Sequence, residues 1–459
     1  MSADWSQPID CGNIPNTDSN FDVIVVGGGP SGSSAASFAA MAGHKVLLLE
    51  KATYPRDKTC GDAVGGSAMR IVTELGVRPM IEGTPLFRVD SIIFSGPGKN
   101  TTVKIDLPAD QVKDRTAGYS LPRLQFDYMM FKRATELILE NGGSIIQNFT
   151  VRDIHVDGVE NEQRITGVSG IIGGNRSGNE PLTFHAPLTV GAGGFNCPVA
   201  KTITETCHNE PMRDNDHYIA AYREYWEMEH DGDVGAIEIH FIGGKLANGY
   251  FWIFPVSDKI ANVGCGMVIN DMNKMNTKLR ELQAWCINES EQFSERFANC
   301  KMIEGTDKGH LIPCGSPRKN APSYQPRRFA MAGAACVGDA SSWVDPLSGE
   351  GLHQGLLSGK MLIPHFRETR GGDSLEFSSE SAHEYQVEMW GKLGPVLSNS
   401  FKLQKLVRKK WLLNWLLRKA AKDNKRGKAI RNQLELAVST KSGQADMAST
   451  WQLLKMVLF

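Results

Sequence analysis

The chain has 459 residues, 41% hydrophobic and 22% charged, which allows two or three domains around a large core. Its formal net charge of −1 excludes the bulk positive field that non-specific nucleic-acid binding needs. Nine cysteines without metal-site or redox-pair spacing fit free thiols in a reducing, cytoplasmic setting with no bound metal, and no apolar run approaches the roughly 20 residues that span a bilayer, so membrane contact is expected to be peripheral at most.

Residues 1–20 are polar, with neither the basic start nor the apolar run of a signal peptide, and read as a disordered leader. Phe21–Val26 is an apolar, strand-like run, followed directly by Gly27-Gly28-Gly29-Pro30-Ser31-Gly32. A helical pattern then reaches Gly43, and a second strand, Lys45–Leu49, ends on Glu50. This is the dinucleotide fingerprint in its strand–turn–helix–strand setting. Gly27 permits the tight turn, Gly29 lets the backbone approach a pyrophosphate, Gly32 packs the helix close, and Glu50 is placed to accept from a ribose hydroxyl. The pattern does not choose between NAD and FAD.

Leu121–Asn141 is a long amphipathic helix pattern ending at Gly142-Gly143. Strands follow over Ser144–Asn148, Arg164–Ile172 and Leu182–Val190, and then a glycine-rich loop, Val190–Lys201. Aromatic and aliphatic residues alternate with polar ones over 215–270, as in an antiparallel sheet, and a helix is predicted over Lys274–Asn299. Pro317–Arg328 is a Pro-bearing basic loop, and the chain is mostly helical from about residue 373.

The segment Cys336–Gly355 decides the cofactor. Phe329–Val337 is strand-like and stops at Gly338-Asp339, whose short carboxylate is placed to bond the polyhydroxyl linker of a flavin. Pro346 rigidifies the next turn, Gly349-Glu350-Gly351 lets backbone amides approach a flat ring, and a helix begins at Leu352. The amides and dipole of that helix start would stabilise the negative charge on the N1–C2=O edge of reduced flavin. Both glycine segments in this order predict FAD. The resulting fold class is α/β (α+β overall). A Rossmann-type FAD-binding domain in three segments (21–90, 121–205 and 320–370) is interrupted by an antiparallel β-sheet substrate domain (91–120 and 206–319). A helical C-terminal region (371–459) closes the chain.

GGGPSG at Gly27–Gly32, VGDASSWVDPLSGEG at Val337–Gly351 and YPRDKTCGD at Tyr54–Asp62 together resemble the large flavoprotein group of aromatic hydroxylases, flavin halogenases and geranylgeranyl reductases. The resemblance implies the p-hydroxybenzoate hydroxylase-like fold, with the FAD ring facing the sheet domain. It further implies that Arg123 lies near the cofactor phosphates and ribityl chain, with further cofactor contacts from Pro30, Ser31, Lys51, Arg56, Cys60, Gly61, Asp62, Gly338, Asp339, Pro346 and Glu350.

Three features resemble the geranylgeranyl reductase branch. Lys58-Thr59-Cys60-Gly61-Asp62 is similar to its cysteine loop beside the flavin. Tyr250-Phe251-Trp252-Ile253-Phe254-Pro255 is similar to its Tyr-x-Trp-x-Phe-Pro signature, and the ending Trp451–Phe459 to its apolar C-terminus. Tyr250, Trp252 and Phe254 share one strand face, a lipid-pocket wall by resemblance and core packing by spacing alone. Cys60, Tyr250 and Trp252 are thus the candidate catalytic residues. Arg56 and Lys58 put positive charge beside the thiol, although a free cysteine is more often a buried, inert hydrophobe.

Two positions depart from the pattern. Ala247 stands where the branch has proline three residues before the tyrosine. Ala192-Gly193-Gly194-Phe195-Asn196-Cys197-Pro198 lacks the aspartate that many relatives carry there, which leaves NADPH and a ferredoxin-type protein both open as electron donor. Phe401–Arg431 carries twelve Lys/Arg against one Asp, with Leu403, Leu406, Trp411, Leu412, Trp415 and Leu416 at roughly helical spacing. That composition suits an anionic membrane surface, or a helix packed on the enzyme with a solvated basic face.

The expected activity is saturation of C=C bonds in a long isoprenoid chain by hydride from reduced flavin N5. The chain would be borne on a lipid, pyrophosphate, chlorophyll precursor or quinone. A flavin monooxygenase or halogenase of the same fold, and a non-catalytic prenyl-binding carrier, are the rival readings.

Overall fold

Val23–Val26 (β1), the helix Pro30–Met41 (α1) and Val46–Leu49 (β2) form the first βαβ unit. Every residue of both strands is buried, as parallel strands covered on both faces must be. The computed structural model describes residues 7–159, 162–174, 178–318, 326–369, 372 and 374–438, with side chains as far as residue 432. The apolar ending at Trp451–Phe459 lies outside them. Residues 7–20 form neither helix nor strand, yet Ile9 is buried against the nucleotide domain and its carbonyl accepts from the Gln147 side chain.

Ala63–Gly65 (β3), Phe87–Ser95 (β4), Val103–Asp106 (β5) and Gly118–Ser120 (β6) precede the long helix Arg123–Glu140 (α2). Ser144–Ile146 (β7), Phe149–Asp157 (β8), Arg164–Ile172 (β9), Leu182–His185 (β10) and Leu188–Gly191 (β11) follow. The single strand predicted over Leu182–Val190 is therefore two, in different sheets. Pro187 separates them, since it has no N–H to continue either ladder.

Tyr218–Glu227 (β12), Val234–His240 (β13), Gly249–Pro255 (β14) and Ile260–Val268 (β15) are the antiparallel strands expected over 215–270. The helix predicted over Lys274–Asn299 is broken into Ile269–Lys274, Leu279–Asn288 (α3) and Ser294–Phe297, with Asn276 at a φ of +46° closing the first piece. Lys301–Met302 (β16) and Lys308–Pro313 (β17) lead to Ala330–Met331 (β18) and Ala334–Cys336 (β19). Those last two form a tight hairpin in place of one strand over Phe329–Val337, because Gly333 turns the chain at a φ of +76°. The helices Leu352–Leu362 (α4), Ser379–Val407 (α5), Lys410–Ala420 (α6) and Lys425–Val438 (α7) complete the chain.

Strands β19, β11, β1, β2 and β7 make the parallel sheet of the nucleotide domain, with β18 antiparallel at its edge. A three-stranded sheet, β10-β9-β8, lies beside it. The ten-stranded sheet runs β16-β12-β15-β14-β13-β4-β6-β3, with β17 on β12 and β5 on β4. It thus takes its first strand at Ala63, within the stretch assigned to the nucleotide domain from sequence. Phe251 and Ile253 on one face of β14 pack with Phe293, Phe297 and α3. The opposite face of β14 is turned toward the cysteine loop.

Candidate functional site

The glycine turn after β1 is built by the absence of side chains. A Cβ on Gly27, at a φ of +111°, would lie 2.5 Å from the Ala192 carbonyl oxygen, and one on Gly32 would lie 1.8 Å from that of Gly27. Beside Gly29 the nearest group is the Arg56 guanidinium, 3.4 Å from such a Cβ. Pro30 occupies the first turn of α1, where its missing N–H costs nothing. Ser31 joins the two glycine segments in space: its Oγ is 2.1 Å from where Gly338 would carry a Cβ and 2.4 Å from that of Gly355.

Glu50 is buried at the end of β2. Its carboxylate accepts the Gly28 N–H at 2.6 Å and the Ala52 N–H at 2.8 Å, so it braces the turn. Lys51, next to it, is exposed. Arg123 opens α2 fully buried, its guanidinium paired with Asp127, and it also reaches the Cys60 thiol. Asp127 receives Arg56 as well, at 3.0 Å. Burial alone would raise the Asp127 carboxyl, but Arg123 and Arg56 together hold it below its ordinary value. Tyr54, stacked on Phe131 at 4.2 Å, donates to the Gly28 carbonyl.

The Cys60 loop is pinned to the large sheet through Asp62. This residue is fully buried at a φ of +68° and is the loop's hub. Tyr225 Oη and Asn262 Nδ2 donate to its Oδ2, and the Arg123 N–H donates to Oδ1 at 3.1 Å. Asn262 Nδ2 also donates to the Cys60 carbonyl at 2.6 Å, and Trp252 Nε1 holds the Asn262 oxygen at 2.9 Å. Burial pushes the Asp62 carboxyl up to about 6, against the opposing hydrogen bonds of Tyr225 and Asn262. Gly61 fits because the Phe254 ring stands 2.9 Å from where its Cβ would be. The loop therefore lies on the Tyr250-Trp252-Phe254 face, whose rings follow one another at 5.9 and 6.4 Å.

The far end of that face meets the late turn. Tyr250 Oη donates to the Ser348 carbonyl at 2.8 Å and stands 2.8 Å from where Gly349, at a φ of +72°, would carry a Cβ. Asp345 accepts the Leu347 and Ser348 amides, and the Pro346 carbonyl accepts from Gln404 of α5. The Glu350 side chain accepts the His353 N–H within the first turn of α4. Gly351 sits 2.7 Å, by its absent Cβ, from Val344. Asp339, beyond Gly338, pairs with Lys58 at 3.5 Å. His310 Nε2 is buried near Lys58, Asp339 and Arg123 without a hydrogen-bond partner among the described residues, and burial first, then Lys58, lowers its ring to about 4.

These observations suit a long, flat, phosphate-bearing cofactor: open backbone at Gly29, cations at Arg56 and Lys58, and an unpaired polar atom at His310. Beside Tyr250, a small cleft of about 40 Å³ lies between Ile219 and Met267 of the sheet, Leu347 of the turn, and Val407 and Leu413 of the helices.

Residues 20–238 match the FAD binding domain family, and residues 217–305 match the geranylgeranyl reductase catalytic domain. The chain thus joins an FAD binding domain to a geranylgeranyl reductase catalytic domain. Relatives include a digeranylgeranylglycerophospholipid reductase of Methanocella arvoryzae, 28% identical over 85% of this chain and 88% of that protein. A menaquinone reductase of Mycobacterium tuberculosis is 26% identical over 75% of this chain and 76% of its own length. The fold is that of a geranylgeranyl bacteriochlorophyll reductase-like protein from Thermoplasma acidophilum, with a TM-score of 0.63, 20% identity and 96% of each chain covered. It is also that of a flavin-dependent brominase, with a TM-score of 0.68, 17% identity, and 96% of this chain and 98% of that one covered. At those identities the likeness speaks for the fold alone. With these two domains the protein is an FAD-dependent oxidoreductase.

Sequence reasoning did not single out Tyr54, Asp127, Tyr225 or Asn262. Two left a trace. Asp127 follows Arg123 at helical i,i+4 spacing, and Asn262 is the one amide in the apolar run Ile260–Val268.

Proposed function

We propose that the protein saturates C=C bonds of a prenyl chain carried on a lipid or quinone. The observation that supports this most is the convergence of three separate motifs. Asn262 and Trp252 hydrogen-bond the Cys60 loop to the Tyr250-Trp252-Phe254 face, and Tyr250 hydrogen-bonds that face to the Pro346–Gly351 turn, where a small, mainly apolar cleft opens.

In this reading the Gly27–Gly32 turn, Arg56, Asp339 and the Gly349–Gly351 backbone hold FAD. Bound in its reduced form, that cofactor supplies hydride from N5 for one alkene carbon. An isolated alkene offers the protein no charge to grip, so positioning and exclusion of water are the catalytic work. Tyr250 lines the cleft and, with Trp252 next to it on the same strand face, orients the chain. Cys60 Sγ holds the proton for the second carbon, with Arg123 beside it to stabilise the thiolate left behind. The Ala192–Pro198 loop lacks the aspartate associated with nicotinamide handling, which favours a ferredoxin-type donor over NADPH. Residues 401–431 would face a membrane surface.

The test is anaerobic, dithionite-reduced holoenzyme with geranylgeranyl-bearing lipid, quinone and pyrophosphate, followed by mass spectrometry. A gain of two hydrogens per double bond is expected, and Cys60→Ser should lower the rate with FAD retained. Failure on every prenyl substrate, or a hydroxylated or halogenated product in air, sinks the proposal. The halogenase reading is already disfavoured, because Phe251–Pro255 is not a Trp-x-Trp-x-Ile-Pro motif.

A further inference from the structure

Helix α6 leaves Trp411 exposed and Trp415 half-buried. Leu413, Leu417 and Ala420 lie on one face and pack with Val103, Ile105 and Ile430. At 100° per residue, Trp411, Leu412, Trp415, Arg418 and Lys419 fall on the opposite side. Among the described residues, Trp411, Leu412 and Trp415 belong to none of the hydrophobic clusters, and Trp411 is 71% exposed. An indole left in water forgoes its large apolar payload, whereas at a lipid headgroup boundary its apolar body and polar N–H are both satisfied.

Lysines dominate the charge around this face, with Asp423 the acidic residue among them. Lys402, Lys405, Lys409, Lys410, Lys422 and Lys425 have no ion pair among the described residues. Lys419 Nζ lies 5.7 Å over the Trp415 ring and stays on the same side. The cleft also reaches this corner, where Val407, Arg408, Lys410 and Leu413 line it together with Tyr250 and Leu347.

We propose that the Trp411–Trp415 face of α6 docks the enzyme on an anionic bilayer. The two indoles sit at headgroup level, the lysines meet lipid phosphates, and the cleft mouth rests against the membrane. A prenyl chain then passes from lipid to protein without crossing water. The docking stands on the surface itself, and only the delivery of a prenyl chain rests on the function proposed above. An acidic protein partner would use the lysines but has no need of an exposed indole at Trp411 with a second, half-buried one at Trp415 on the same face.

Flotation of the FAD-loaded enzyme with phosphatidylcholine vesicles, with and without phosphatidylglycerol, tests it. Binding is expected to the anionic vesicles, and to fall at least roughly tenfold in Trp411→Ser/Trp415→Ser and in Lys419→Glu/Lys422→Glu. Flavin absorbance and thermal midpoint confirm that the variants are folded. Unchanged partitioning of both folded variants overturns the proposal. So does absence of vesicle binding by the wild type, including the case where the lysine variant instead loses reduction by a small acidic ferredoxin. Vesicle binding with no prenyl product would leave docking intact and defeat only the assigned reaction. With detergent-dispersed substrate both variants should turn over like wild type, and with vesicle-borne substrate they should fall behind.

Discussion

The two halves of the site are made differently. The nucleotide side is built from backbone: at Gly27, Gly32 and Gly338 a single added methyl would strike another part of the main chain or the Ser31 hydroxyl. The sheet side is built from side chains, with Asp62, Asn262, Tyr225 and Trp252 reaching across three strands to hold one loop. A backbone site tolerates almost no change at its glycines. A side-chain hub degrades in steps, one unmet hydrogen bond at a time.

Gly32→Val should have the largest effect. Its Cβ alone would lie 1.8 Å from a main-chain oxygen, so a loss of about 4 kcal/mol or more is expected, with protein recovered colourless. A yellow, stable variant would show that the turn is not closed by sterics. Asp62→Ala comes next. It leaves the Tyr225 hydroxyl, the Asn262 amide and the Arg123 N–H without their acceptor, for about 2–4 kcal/mol in chemical denaturation, while flavin is retained.

Asp62→Asn isolates the charge. The folded-state value of about 6 stands above the ordinary 3.8, so the unfolded chain releases the proton first. Relative to the Asn variant, wild type should lose stability as pH rises from about 4 to about 6, by about 3 kcal/mol, and stay level above that. A flat difference across this range would mean the carboxylate is not buried in solution. Trp252→Phe removes one donor to Asn262 and should cost about 1–2 kcal/mol with slower prenyl turnover and unchanged FAD content. Lys58→Met breaks a half-exposed pair and should move stability by less than about 0.5 kcal/mol.

The same contrast governs what could be read from the amino-acid order. A glycine demanded by backbone contact is visible in one sequence, so the Gly27–Gly32 turn, the Gly349–Gly351 turn and the start of α4 were predictable. The alternation of Tyr250, Trp252 and Phe254 was equally visible, because a strand face has period two. The Asp62 hub was not, since its partners lie 163 and 200 residues away and nothing local marks them. Short-range breaks were missed where one residue overrode an apolar run, as Pro187 and Gly333 do.

The wedge of Ser31 between Gly338 and Gly355 bears on how the chain is born. The residues that open the cofactor cradle leave the ribosome some three hundred positions before those that close it, since β19 and α4 must dock beside β1 and α1. Flavin capture therefore belongs to the end of synthesis, and the nascent amino-terminal portion must wait, partly open and in need of shielding, for its distant counterpart. A chain stalled before Gly338 should hold no flavin, and one released beyond Leu362 should be the first able to.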